Sequence, residues 1–355
     1  MSEEEIVFTR RGNIGHVRLN RPKALNALSL GMCAALLDQL KAWRSDDGVK
    51  AVVIRGTGEK AFCAGGDIVK LYEGGRDKGP YPRDFFGTEY TLNTYIKHFP
   101  KPYIALIDGI VMGGGVGVSQ HGSHRVATER TTLAMPETGI GFFPDVGGTY
   151  FLPRLPGKVG IYLGLTGQRI KAGDCLALGV ADLLVAAARL DELEEALAAK
   201  ASANPREVSD IIRTFSESAP IGPVKENITL IDKHFAAPSV EAIVASLKAD
   251  GGAWATATLD ELAKKSPLAL KMTFRQLTEG ARLSFDAAMQ LEWRLATRAT
   301  SAPNFLEGVR ALLIDKDNKP KWEPSTLEAV TDDMIGAFFA PMPGDELNLS
   351  AIKEK

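Results

Sequence analysis

The chain has 355 residues, 45% hydrophobic and 24% charged, enough to bury a large core in one large domain or two smaller ones. Its 42 Lys and Arg against 44 Asp and Glu leave a formal net charge of −2, with no general field for nucleic acid or an anionic membrane. No apolar stretch of membrane-spanning length is free of charge or dense glycine. Cys33, Cys63 and Cys175 form neither a disulfide framework nor a zinc pattern. With an acidic start that has neither signal nor transit character, the expectation is a reducing, cytoplasmic compartment.

Ile6–Phe8 and His16–Leu19 read as two strands around the turn residues Gly12-Asn13. After the turn-like NRPKALNAL, Ser29 is a good N-cap, and Met32, Leu36, Leu40 and Trp43 share one helical face. That spacing predicts a helix over Ser29–Arg44, packed on a sheet. Ala51–Arg55 and Tyr103–Ile107 have the apolar, β-branched character of buried strands, and Val126-Ala127 and Leu133-Ala134 read as two more. Strands alternating with helices imply right-handed crossovers and largely parallel pairing, an α/β fold. From about Asp191 the patterns are helical: LDELEEALAAK, VSDIIRTF, VEAIVASLK, LDELAKK and LALKMTFRQL. The composition shift near residues 190–215 divides the chain into a core, 1–200, and a helical region, 201–355, covering it.

Two glycine clusters stand out. Phe62-Cys63-Ala64-Gly65-Gly66-Asp67 follows the Ala51–Arg55 strand, and Asp108-Gly109-Ile110-Val111-Met112-Gly113-Gly114-Gly115-Val116-Gly117 follows Tyr103–Ile107. The carboxyl ends of parallel strands are where such sheets place ligands. Bare backbone admits a ligand atom closely, and two such turns side by side can offer one N–H each to a single oxygen, an oxyanion hole. Tight turns and close helix packing are the alternative use of these glycines. No GxGxxG or GxxxxGK[ST] occurs, so nucleotide-phosphate sites of those types are not expected.

In Met135-Pro136-Glu137-Thr138-Gly139-Ile140-Gly141-Phe142-Phe143-Pro144-Asp145-Val146-Gly147-Gly148, two carboxylates stand in an apolar, glycine- and proline-rich setting. Glu137 and Asp145 are therefore candidates for burial and shifted protonation; capping a helix or turn is the alternative. Cys63 has no histidine near it in sequence, and Ser119 lacks a GxSxG frame. His121 and His124 read as core or hydrogen-bonding residues. Lys271 and Arg275 read as a solvated helix face, with contact to CoA phosphates as the alternative.

Asn20-Arg21-Pro22-Lys23-Ala24-Leu25-Asn26-Ala27-Leu28, AFCAGGDI, GIVMGGGVG and AMPETGIGFFPDVGG resemble, in order, the signature segments of the crotonase (enoyl-CoA hydratase/isomerase) superfamily. FFGTEY, FPDVGG and NFLEGVRALLIDKDNKPKW resemble its hydrolase branch, and the likeness runs over about residues 6–325. The resemblance implies a crotonase-like spiral of ββα units with a helical C-terminal layer. It implies an acyl-CoA substrate, Gly66 and Gly114 as the two N–H donors, and Glu137 at the position of the second hydratase glutamate. The first would stand at residue 117, where this chain has Gly117. Asp145 on the other side and Glu89, a substrate-site residue, match the hydrolases. Gly65, Asp67, Ala24 and Leu25 match substrate-contact positions. The implied reaction is hydrolysis of a short branched β-hydroxyacyl-CoA such as 3-hydroxyisobutyryl-CoA, a step of valine catabolism, without metal or other cofactor. Homo-oligomerisation is compatible with it. The rivals are a hydratase or isomerase of the same family and a non-catalytic acyl-CoA-binding protein.

Overall fold

The computed structural model describes residues 4–352. Eleven strands are formed: β1 (Ile6–Arg11), β2 (Ile14–Leu19), β3 (Ala51–Gly56), β4 (Ala61–Cys63), β5 (Tyr103–Ile107), β6 (Ile110–Met112), β7 (His124–Ala127), β8 (Thr132–Ala134), β9 (Ile170–Lys171), β10 (Leu183–Val185) and β11 (Ser216–Glu217). They make a seven-stranded sheet ordered β1-β2-β3-β5-β7-β10-β11 and a four-stranded sheet ordered β4-β6-β8-β9. Pairing is parallel from β2 through β10 and among β4, β6 and β8; the edge pairs β1·β2, β10·β11 and β8·β9 are antiparallel. The chain therefore lays strands in couples, β3 with β4, β5 with β6, β7 with β8, one into each sheet. This is the ββα spiral that the resemblance implies.

Four helices lie between β2 and β7: α1 (Leu30–Ser45), α2 (Ile68–Arg76), α3 (Tyr81–Lys97) and α4 (Gly114–Gln120). Ser29 caps α1 by accepting the Met32 N–H, and Met32, Leu36, Leu40 and Trp43 are buried, as their spacing predicts. The helix α3 has no counterpart among the predicted elements. Neither do β4 and β6, which are three residues each and fall inside the glycine clusters. Gly65-Gly66 and Gly113-Gly114-Gly115 thus come just after the strands of the small sheet.

The large sheet is buried on both faces, and the alternation along its strands sorts the core. Ala51, Val53, Ile104 and Leu106 join Leu190, Leu193, Leu197, Val208 and Ile212 from the helices Leu190–Lys200 and Pro205–Arg213. Val52, Ile54, Tyr103, Ala105 and Ile107 face the other way, into a core shared with α1, α3 and the later helices. Burying one such Leu or Val side chain stabilises the fold by about 1.5–3 kcal/mol, so both faces contribute strongly. Buried Glu194 on the first of these helices receives Arg11, Arg18 and Arg55 from three strands at 3.3, 2.9 and 3.2 Å. Among the described residues, no helix is long and apolar enough to cross a membrane.

The segment before α1 ties the two sheets together. The Leu28 N–H donates to the Gly65 carbonyl, and the Asp67 N–H donates to Leu28. Asn26, at a φ of +57, organises this segment: its side chain accepts the Arg21 N–H and donates to the Thr57 and Ala61 carbonyls at 3.0 and 2.9 Å. Asn tolerates the left-handed region better than residues with bulkier side chains. Asn26→Ala should therefore destabilise the protein by about 2–4 kcal/mol, from lost bonds and buried partners left unpaired. Urea denaturation with an unchanged m-value would register it.

Candidate active site

A cavity of about 690 Å³, mouth included, opens where the two glycine turns meet α3, the segment 136–145 and the helix Pro303–Val309. Pairing of β4 with β6 sets the turns side by side. A Cβ placed on Gly113 would lie 3.5 Å from the Gly65 Cα, and one on Gly114 would lie 3.3 Å from the Gly65 carbonyl carbon. Gly65 at a φ of +120 and Gly113 at +46 hold conformations that side chains rarely allow. Gly66 and Gly114 both line the cavity, and among the described residues neither N–H donates a hydrogen bond. Two uncommitted N–H groups at the wall of an apolar cavity are able to bind an oxygen that carries developing charge.

Carboxylates stand opposite. Glu89 from α3, Glu137 from the 3-10 turn Glu137–Ile140 and Asp145 from the loop after it all line the cavity. A fourth, Glu292 on the helix Phe285–Ala299, lies behind them. Their exposures are 2%, 7%, 5% and 0%, and among the described residues none has a cation as salt-bridge partner. Burial, and then the charge of Asp145, pushes Glu89 and Glu137 well above the ordinary carboxylate range. Burial raises Asp145 to about 7, against the lowering effect of the Tyr90 hydroxyl, which donates to it at 2.8 Å. Glu292 rises to about 8 through burial and the neighbouring Asp145, although it accepts two backbone N–H groups. One oxygen each of Glu89 and Glu137 has no hydrogen-bond partner among the described residues. A Cβ on Gly114 would come within 2.5 Å of Glu89 Oε1, and one on Gly113 within 3.3 Å of Glu137 Oε1. The glycine turns and the acids are thus in contact.

The loop carrying Asp145 is strained. Val146, a β-branched residue, sits at a φ of +50, a conformation that costs about 1–3 kcal/mol and persists only where neighbours enforce it. His121 Nε2 binds the Val146 carbonyl at 2.6 Å; a carbonyl only accepts, so this nitrogen carries the proton. Burial first pushes His121 down to about 4, so it is neutral. Gln276 Nε2 donates to the Pro144 carbonyl and to Thr149 Oγ1, both at 2.7 Å. Glu292 accepts the Gly147 and Thr149 N–H groups at 2.8 and 2.9 Å. Glu137 is held from the C-terminal side too: at Gly141 a Cβ would strike the Asn304 carbonyl at 2.3 Å, and at Gly308 one would meet Ile140.

The structure brings Gly65, Gly66, Glu89, Gly114, Glu137 and Asp145 to one cavity. It does not bring Ala24, Leu25 or Asp67 there. Ala24 is exposed, and Leu25 lines a neighbouring groove of about 640 Å³ with Pro22, Lys23 and Lys60. The Asp67 side chain caps α2 by accepting the Lys70 N–H and meets Arg21 at 3.5 Å. Gly117 is closed in: a Cβ there would lie 2.8 Å from both Asn93 Nδ2 and Val146 Cβ. Cys63 is buried and its thiol is raised to about 12 by burial, which removes it as a nucleophile. Ser119 and His124 bond within the core, and Lys271 pairs with Glu241. Tyr90, Asn93 and Glu292 escaped the sequence reading. For the first two the signal is a stripe, Phe85, Phe86, Glu89, Tyr90 and Asn93, at helical spacing with polar members on a buried face. Glu292 between Leu291 and Trp293 carries no such sign.

Over residues 14–339 the chain matches the family described as enoyl-CoA hydratase/isomerase. Mitochondrial 3-hydroxyisobutyryl-CoA hydrolases of Danio rerio and Homo sapiens are 47% and 43% identical to it, each over 97% of this chain and over 92% and 90% of theirs. A carnitinyl-CoA dehydratase of Mycobacterium thermoresistibile superposes with a TM-score of 0.92 at 39% identity, over 98% of this chain and 99% of that one. An enoyl-CoA hydratase of Rhodobacter sphaeroides 2.4.1 gives 0.90 at 37%, over 97% and 100%. These neighbours share the spiral with its helical layer. The relatives' mitochondrial location corrects the cytoplasmic expectation. Reduced cysteines and an even charge balance suit any reducing compartment and do not distinguish among them.

The raised acids make a stability prediction. A folded-state carboxyl above its unfolded value binds protons more tightly when folded, so stability falls as pH rises through the interval between the two values. Glu137→Gln removes one such group while keeping its shape. At pH 8 the variant should melt about 2 °C or more above the parent, and the gap should shrink toward pH 5. Differential scanning calorimetry at the two pH values checks it; a variant that melts lower at pH 8 would refute the buried-charge account.

Proposed function

The chain belongs to the enoyl-CoA hydratase/isomerase family, and we propose that it hydrolyses 3-hydroxyisobutyryl-CoA to 3-hydroxyisobutyrate and CoA. The observation that carries this reading is the filled space at Gly117. Hydration of a double bond calls for one group to activate water and another to deliver a proton to carbon, and hydratases place a glutamate at the position of Gly117. Here Asn93 and Val146 fill that space, while Asp145 lines the cavity together with Glu137. The named relatives at 43–47% identity are hydrolases, which supports the same choice.

In the proposed mechanism the thioester oxygen lies between the Gly66 and Gly114 N–H groups. These strengthen as negative charge gathers on the oxygen; losing one such donor costs about 3–4 kcal/mol of transition-state stabilisation. Ionised Glu137 either attacks the carbonyl carbon, giving a mixed anhydride that water then hydrolyses, or takes the proton of an attacking water. Either route needs its carboxylate form. The C–S bond breaks and the sulfur leaves as CoA thiolate. Asp145, with Tyr90 on one oxygen, orients water and manages the proton. The free Glu89 oxygen beside Gly114 receives the acyl 3-hydroxyl. Phe85, Phe86, Phe142 and Phe305 wall the cavity and limit the acyl group to a small one. Ala24, Leu25 and Asp67 meet the CoA moiety beyond the thioester, where Lys23 and Lys60 on the adjacent groove suit its phosphates. Residues 1–200 supply the oxyanion donors, and 201–355 close the site through Phe305 and Leu312. No metal or redox group is needed, since the sulfur of CoA is already a fair leaving group.

Thiol release from 3-hydroxyisobutyryl-CoA should far exceed hydration of crotonyl-CoA, and the reverse order would return the protein to the hydratases. Glu137→Gln should lower kcat by about a hundredfold or more. Because the acids are raised, their working ionised forms accumulate as pH increases. Turnover should therefore fall toward acid with a midpoint well above the ordinary carboxylate range. A flat profile between pH 5.5 and 8 would exclude ionisation of this cluster from the reaction.

A further inference from the structure

The Asp145 carboxylate is presented by a turn that its own sequence does not favour. We propose that Glu292 is the positioning residue for Asp145: by taking the Gly147 and Thr149 N–H groups together, it fixes the Asp145–Gly147 turn and so aims the Asp145 side chain at the thioester. This rests on the reading of Asp145 as a participant in hydrolysis.

Both Glu292 oxygens are committed to backbone donors, at 2.8 and 2.9 Å, and the group is fully buried. These donors flank the bend, immediately after Val146 at a φ of +50 and Gly147 at +89. If the Gly147 N–H lost its partner, the Val146–Gly147 peptide would be free to rotate toward an ordinary conformation, carrying Asp145 with it. The other two supports act elsewhere: His121 holds the Val146 carbonyl and Gln276 the Pro144 carbonyl. Among the three, only Glu292 binds the donors of the turn. Phe285 reaches the same spot, 3.2 Å from a Cβ placed on Gly147. Phe285 and Glu292 are seven residues apart on one helix, two turns along one face. That face is therefore built against the Asp145 turn.

The choice of a carboxylate is what marks Glu292 as more than a cap. Glu89 and Tyr90 on α3, Glu137 on the 3-10 turn and Asp145 itself lie within reach of its charge, and all are acidic groups. Neutral His121 closes the other side, with Lys97 and Arg125 acting on it from farther out. A neutral acceptor would satisfy an N–H group without repelling four acids. The charge does something a neutral group would not: it makes Glu89 and Glu137 hold their protons more tightly.

Thiol release from 3-hydroxyisobutyryl-CoA, followed across pH, tests this with Glu292→Gln, Asp145→Asn and the double variant. Glu292→Gln should lower kcat by about a hundredfold, as expected of a catalytic group displaced by about an ångström, with KM within about threefold. The acid limb should move to lower pH, because a neutral neighbour lets Glu137 ionise more easily. The double variant should be no more than about threefold slower than Asp145→Asn alone, since Glu292 acts through Asp145. Losses that multiply, an unmoved limb, or near-native kcat in Glu292→Gln beside an inactive Asp145→Asn would each overturn the assignment while leaving the hydrolytic reading intact. An Asp145→Asn enzyme with native kcat would instead overturn the role of Asp145, and this inference with it. Should the glutamine variant fail to fold, Glu292→Asp decides. It keeps the charge but falls one methylene short, so kcat should drop with the limb unmoved, and kcat within about threefold of native would refute the proposal.

Discussion

Several carboxyl groups are kept out of water in one cavity without a cation, and the rest of the structure is arranged around that fact. Glu194 shows what the same chain does with a structural acid. It is equally buried, but Arg11, Arg18 and Arg55 converge on it, and its pKa ends below the ordinary value. Glu89, Glu137, Asp145 and Glu292 have no such partners among the described residues and rise. Two ionised carboxylates about 4 Å apart in a protein repel by roughly 4 kcal/mol. The cluster therefore holds protons that it would lose in water. A fold tolerates that only where the acids do chemistry or where the surroundings leave them no retreat.

The surroundings supply both conditions. Pairing of β4 with β6 brings two bare turns together, and the absence of side chains at Gly113 and Gly114 lets Glu137 and Glu89 approach the backbone directly. Each acid comes from a separately anchored element: α3 packed on α1, the 3-10 turn wedged against the helix Pro303–Val309, and the Val146 turn gripped from three helices. The C-terminal helices are thus part of the site. Removing their contacts would release the strain at Val146 before it disturbed either sheet.

Much of this was legible in the sequence, and the parts that were not share a cause. The glycine clusters and the Glu137–Asp145 segment are local: their residue types and short spacing announce bare backbone and poorly solvated acids. The large sheet is legible for a similar reason, since β3 and β5 are continuous apolar runs buried on both faces. The β4 and β6 strands are too short for any period to show. Tyr90 and Asn93 lie on a helix whose buried stripe contains polar residues, which breaks the apolar pattern that would reveal it. Glu292 meets the Asp145 turn from 143 residues or more away in the chain, and only the packing makes them neighbours. The turn at Ala24 and Leu25 shows a different case: a recognisable motif touches the glycine turn through the Leu25 carbonyl, yet Leu25 lines a neighbouring groove.

Family likeness alone leaves the reaction open, because the solved structures that superpose so well include a dehydratase and a hydratase. The choice is made at one position. A glutamate at residue 117 would need the volume that Asn93 and Val146 occupy, and Val146 stands there because its backbone is held in the left-handed region. The strained turn that presents Asp145 to the cavity is thus the same feature that closes the position of Gly117 to a second acid. Restoring a hydratase-like glutamate would require Val146 to move, and moving Val146 would withdraw Asp145. In this chain the two arrangements of acids exclude each other, so the preference for water attacking a carbonyl over water adding to a double bond is fixed by packing as much as by residue type.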